Sequence, residues 1–105
     1  MQADTLIDCS ARMMILRRNF LDRVSTDADA IKGLVNPMDD TGILALRSLC
    51  HMLKGSANLL GLHALMNSAA DLEREIRGRA QDRRSIMEKW ATLLGNLSQC
   101  ALDAG

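Results

Sequence analysis

His51 is the residue whose type and company could do chemistry. A neutral imidazole carries one ring lone pair near neutral pH and is a competent nucleophile. With His51 set at zero and helical pitch assumed, Arg47 falls at about −40°, Lys54 at about −60°, Gly55 at about +40° and Asn58 at about −20°. Leu49, Leu53 and Leu60 fall within about 20° of the opposite pole. A helix here buries its leucines and turns His51 to water. Gly55 stands one turn after His51, although a mid-helix glycine costs roughly 1 kcal/mol relative to alanine. Its missing side chain leaves the ring open to a docking partner. Lys54 sets an ammonium where an anion attached to the ring would lie. Leu44, at about +20°, is an apolar candidate for partner contact, and Arg47 and Asn58 flank the ring on the same face. Met52 and Leu59, near the edges of that face, are expected to pack on a neighbouring helix. A random surface histidine is usually inconsequential, but exposed ring, absent side chain and cation together read as a phosphorylation site recognised by another protein.

Other reactive groups do not combine. Cys50 points about 100° away from His51, so the two cannot act as a nucleophile pair. A metal site on Cys50, His51 and His63 lacks a further ligand at useful spacing, and no Cys-x-x-Cys occurs, so no metal is expected. Neither G-x-x-x-x-G-K-[ST] nor G-x-G-x-x-G is present, so no nucleotide or other cofactor is expected. His63 reads as a surface or capping residue.

The elements that must hold this face follow from helical periodicity. Met13, Leu16, Phe20, Val24, Ala28, Ile31 and Leu34 form the stripe of a long first helix, starting near Asp4 or Ser10 and ending before Asn36-Pro37. Met13 and Met14 are expected to fill core. An Asp or Thr of Asp39-Asp40-Thr41-Gly42 caps the second helix, which runs to about Leu60. Gly61 breaks it. Leu62, Leu65, Ala69, Leu72 and Ile76 stripe a third helix, with Glu73–Arg77 and Glu75–Arg79 as i,i+4 pairs on its wet side. Gly78 to Arg84 is a connection. Ile86, Trp90, Leu93, Leu97 and Ala101 stripe the last helix. The fold class is therefore all-α: an antiparallel up-down four-helix bundle, with room for a short extra N-terminal helical turn.

Composition sets the outer limits. The 105 residues make one domain, and 48% apolar with 25% charged residues describes a globular chain. Thirteen basic residues balance thirteen acidic ones, and one Phe and one Trp are the sole aromatics. That argues against nucleic acid as a partner and against direct membrane contact. No apolar run approaches the roughly 20 residues of a membrane span, and the polar N-terminus does not read as a signal peptide. Cys9, Cys50 and Cys100, scattered and odd in number, fit a reducing cytoplasm.

His51-Met52-Leu53-Lys54-Gly55-Ser56-Ala57-Asn58-Leu59-Leu60-Gly61 resembles the signature of histidine-containing phosphotransfer (HPt) domains, His-x-Leu-Lys-Gly-small-small-x-x-Leu-Gly. Leu65 through Ala69 to Leu72-Glu73 resembles the family's third-helix pattern, and the resemblance covers essentially residues 1–105 as a single HPt-like domain. It implies that His51 is the phosphoacceptor, attacking through Nε2, that Lys54 steadies the phosphoryl group, that Gly55 clears the docking face and that Gly61 allows a tight turn. Ser56 and Ala57 match the family's small positions and read as packing residues. It further implies a polar side chain from the neighbouring helix that orients the ring, with Asn67, Ser68 and Asp71 as candidates.

The function implied is that of a phosphorelay intermediate in two-component signalling. It takes a phosphoryl group from a receiver-domain aspartate and passes it to another receiver, with no ATP site of its own. The partners implied are response-regulator receiver domains, free or within a parent hybrid sensor kinase, and the expected chain is a cytoplasmic monomer or the cytoplasmic tail of a membrane-bound kinase. Two alternatives stand beside it: the phosphoacceptor domain of a chemotaxis-type histidine kinase, and a helical-bundle adaptor or inhibitor whose histidine is inactive. Gly55-Ser56, in place of the Gly-Gly common in the chemotaxis group, favours the relay.

Overall fold

The computed structural model describes residues 2–34, 39–78 and 82–104, and the side chains of 11–34, 39–78 and 82–103. Among them are four helices and no strand: α1 (Gln2–Leu34), α2 (Asp40–Leu59), α3 (His63–Arg77) and α4 (Arg83–Ala104). Each helix packs on its two neighbours, α1 on α2 and α4, and α3 on α2 and α4, so the architecture is the expected antiparallel bundle. Among the described residues the first helix is continuous from Gln2, earlier than either start expected from sequence and with no separate turn before it. The Asn36-Pro37 stop and Arg79 lie outside the described residues.

The core is one cluster built by the helical stripes. Leu21, Val24, Ala28 and Ile31 of α1 meet Ile43, Leu46, Leu49, Cys50, Leu53 and Ala57 of α2. Leu65, Ala69, Leu72 and Ile76 of α3 and Ile86, Trp90, Leu93 and Leu97 of α4 complete it. Burying a leucine or isoleucine fully is worth about 1.5–3 kcal/mol, so the fully enclosed Leu46, Leu53, Leu65, Leu72, Ile86 and Leu93 contribute heavily to cohesion beside the larger buried Trp90. One polar pair enters between α3 and α4: Asn96 Nδ2 donates to Ser68 Oγ, whose hydroxyl donates to the Ala64 carbonyl at 2.9 Å.

Two stripes, those of α1 and α4, end sooner than their periodicity. Met13 and Leu16 are exposed, as is Met14, so none of them fills core. Leu34 and Ala101 are also exposed. The cause is length. A 33-residue helix spans about 50 Å and a 20-residue one about 30 Å, so α1 outruns α2, and the molecule is 56 Å long by 23 and 18 Å. Arg17 is level with the α2–α3 turn, and residues 11–16 stand beyond it, exposed throughout.

The ends of α2 are well specified, which fixes where its face points. Asp39 is the N-cap, its Oδ1 accepting from the Gly42 amide at 2.9 Å. At the other end Gly61 takes φ 72°, the left-handed region that glycine enters without strain. The Gly61 amide donates to Asn58 O and the Leu62 amide to Ala57 O at 2.8 Å, the paired bonds of a Schellman turn. The Leu60 carbonyl that this turn leaves over accepts from Arg17 Nε of α1 at 2.8 Å, a cap that crosses helices.

Candidate functional site

The exposed face of α2 is the one opposite its buried leucines, Leu46, Leu49 and Leu53. The His51 side chain is 79% exposed, while its neighbour Cys50 is fully buried. Burial, reinforced by the carboxylate of Glu73, pushes the Cys50 thiol up to about 12, so it stays protonated and takes no part as a nucleophile. Among the described residues no group of three His, Cys, Asp or Glu could hold a metal ion.

The other residues expected on this face are where helical pitch puts them. Gly55, Asn58, Arg47 and Leu44 are all exposed. A Cβ built on Gly55 meets nothing within 4 Å, so the glycine is not demanded by packing inside the molecule. Ser56 is half-buried and Ala57 buried, as packing residues should be. Met52 is half-buried against the core, as expected, but Leu59 is 81% exposed and packs on no neighbouring helix. His63 is exposed at the start of α3 without a side-chain cap bond.

The residue that sequence reasoning missed is Glu73. Expected on the wet side of α3, it is instead 4% exposed, wedged between α3 and α2. Its Oε1 accepts from Lys54 Nζ at 2.6 Å. Its Oε2 lies 3.8 Å from His51 Nδ1 and 3.9 Å from Arg77 Nη2, and has no hydrogen-bond partner among the described residues. Lys54 holds the Glu73 carboxyl below its ordinary value of 4.5; burial opposes this, and the charges of Arg77, Lys54 and His51 assist Lys54. The carboxylate is therefore ionised at neutral pH. Lys54 is not a free ammonium beside the ring, as expected, but the ion-pair partner of a buried anion.

Of the three residues considered for contact with the ring, none fills that place. Asn67 is exposed, Asp71 pairs with Arg74 at 3.5 Å, and Ser68 is engaged by Asn96 and Ala64. Glu73 is the α3 side chain that reaches it. A sequence signal for this existed: Glu73 follows Ala69 by four residues and precedes Ile76 by three, which sets it on the border of the buried stripe. A carboxylate there, facing a helix with a lysine at its own border, is a candidate for a buried pair.

The arrangement can therefore present an imidazole with its inner nitrogen toward a carboxylate and the rest of the ring toward solvent. A family profile described as Hpt domain matches residues 15–100. The chain belongs to the Hpt domain family. Membership accounts for the four helices and implies histidine phosphotransfer within a phosphorelay, by modules that have no ATP-binding site and interact with receiver domains. No curated protein and no solved structure matches this chain. No helix among the described residues is long and apolar enough to cross a membrane.

Proposed function

We propose that this Hpt domain is a phosphorelay intermediate, residues 1–105 acting as one module, in which His51 accepts a phosphoryl group from a receiver aspartate and passes it to a second receiver. The observation that carries this reading is the ring of His51, 79% exposed in the middle of α2 with Nδ1 turned toward the Glu73 carboxylate. A carboxylate on that side favours the tautomer with the proton on Nδ1, which leaves the lone pair on Nε2. At 3.8 Å the contact is electrostatic, and a shift of under about 1 Å would make it a hydrogen bond as charge develops on the ring.

In the transfer step the Nε2 lone pair attacks phosphorus, the P–O bond to the receiver aspartate breaks, and the carboxylate leaves with that electron pair. Such a step needs in-line placement and charge neutralisation more than covalent machinery. The receiver supplies the aspartate and its bound divalent cation; this chain supplies the nucleophile, Lys54 as the local cation, and a face bare at Gly55. Arg47, Asn58 and Leu44 border the ring as docking residues. Aspartyl phosphate and phosphohistidine are both high-energy species, so the exchange runs in either direction.

The test is incubation of the chain with a phosphorylated receiver and Mg²⁺. Acid-labile label on the protein, absent in His51→Gln, is the expected result. Label that survives in His51→Gln overturns the assignment of His51, and no label from any receiver that still docks overturns the relay and favours an adaptor.

A further inference from the structure

Glu73 poses a problem that the proposed function does not solve. Lys54 is the nearest cation to His51 in the sequence pattern, yet its Nζ is committed to Glu73 Oε1 at 2.6 Å. A lysine that left Glu73 for a phosphoryl group would abandon a carboxylate with a side chain only 5% exposed. Removing one partner of a buried pair is strongly unfavourable, because the other charge is left uncompensated. A dianionic phosphoryl group arriving on the next side chain makes that worse. Unless another cation takes the carboxylate, Lys54 stays where it is.

A second cation is within reach. Arg77 follows Glu73 by four residues on α3, the favourable order for a helical ion pair, and its Nη2 is 3.9 Å from Glu73 Oε2. That oxygen is enclosed and has no hydrogen-bond partner among the described residues. The Arg77 side chain is 55% exposed, so its fork has room to move, and closing by about 1 Å completes a charge-assisted bond. Lys54, Glu73, Arg74 and Arg77 line one cleft between α2 and α3, with Arg74 itself drawn toward Asp71 at 3.5 Å.

We propose that Arg77 is a positioning residue for phosphotransfer: it takes over the buried Glu73 carboxylate so that Lys54 can turn onto the phosphoryl group carried by His51. The proposal rests on the phosphoacceptor reading of His51 and adds an exchange of ion pairs to it. In the resting state Glu73 holds Lys54. In the phosphorylated state Glu73 holds Arg77 and faces the protonated Nδ1 of the ring, while the ammonium of Lys54 faces the phosphoryl oxygens. The cleft keeps every charge paired in both states. Arg77 touches neither the phosphoryl group nor the attacking nitrogen.

The experiment uses phosphoramidate, a small donor that removes receiver docking from the measurement. Its P–N bond breaks, ammonia leaves with the bonding pair, and a P–Nε2 bond forms on His51. Rates of labelling are measured for the full chain, Arg77→Gln, Arg77→Lys, Lys54→Ala and the double variant, each with its melting curve. Arg77→Gln is expected to label about five-fold more slowly, the upper end of what a half-exposed ion pair contributes, and Arg77→Lys to recover most of the rate. In the Lys54→Ala background Arg77→Gln is expected to change nothing further, since it acts through Lys54. Should Lys54→Ala fail to fold, Lys54→Met keeps the aliphatic stem and serves the same cycle. Additive losses, or an Arg77→Gln rate equal to wild type, overturn the exchange while leaving His51 as the acceptor. A wild-type chain that takes no label on His51 overturns the acceptor reading and this inference with it.

Discussion

At the scale of single residues the site is a balance of charges around one buried carboxylate. Replacing Lys54 by alanine removes the 2.6 Å partner of Glu73 and leaves Arg77, at 3.9 Å, as the remaining cation. The expected cost in folding stability is about 1–3 kcal/mol, recovered in large part by adding Glu73→Gln, as urea titrations of the single and double variants would report. Transfer from a phosphorylated receiver is expected to slow in Lys54→Ala without ceasing, because the receiver brings its own cation; complete loss would give Lys54 a larger role than charge neutralisation. Glu73 also fixes a pH dependence. Its carboxyl is held below 4.5 in the folded chain, so the unfolded chain binds the proton more readily. The stability this contributes is fully present above about pH 4.5 and is lost as the pH falls through the lowered folded value. Glu73→Gln is therefore expected to lose less stability than wild type between about pH 6 and about pH 3.5, measured as the shift in urea midpoint. An equal loss in both would mean that the carboxylate is not held ionised by Lys54.

At the scale of helices, α2 was legible because its two faces differ in kind. Leucines at one pole and His51, Gly55 and Asn58 at the other leave a single way to bury it, and the cap at Asp39 and turn at Gly61 carry their own turn chemistry. Glu73 was not legible from α3 alone. A charged residue on the rim of a stripe is ordinarily solvated, and what draws this one inward is Lys54 on a different helix, nineteen residues away in the chain. Arg17 was hidden for the same reason: its partner is a carbonyl that only the α2–α3 turn exposes. The two glycines of the motif separate by substitution. Gly55→Ala meets nothing within 4 Å and is expected to stabilise the chain by about 0.5–1 kcal/mol, while Gly55→Gln keeps the fold and slows transfer by obstructing the receiver. Gly61→Ala must hold φ 72° with the Arg17 Nη2 at 3.2 Å, and is expected to cost about 1–2 kcal/mol. Opposite signs in thermal melts would distinguish a glycine kept for a partner from one kept for the backbone; unchanged transfer in Gly55→Gln would remove its docking role.

At the scale of the molecule the bundle supports one rigid face, and its length is unevenly used. Helical periodicity in α1 reports that a helix forms but not how far its neighbours run alongside. Met13 and Leu16 share the spacing of Val24 and Ala28, yet they lie past Arg17, level with the turn where α2 ends. The enclosed cluster begins at Leu21, so the same substitution chemistry should have different consequences on the two sides of that boundary. Leu16→Gln changes a residue that is 54% exposed and is expected to shift stability by less than about 0.5 kcal/mol. Leu53→Ala empties a site with no exposure, directly beneath the His51 face, and is expected to cost about 2–5 kcal/mol. Denaturant unfolding of both, with the slope against denaturant compared to wild type, checks the pair. A Leu16→Gln loss comparable to Leu53→Ala would place the N-terminal stretch of α1 inside the cooperative unit. Near-neutrality would leave the phosphotransfer face resting on the four-helix cluster alone.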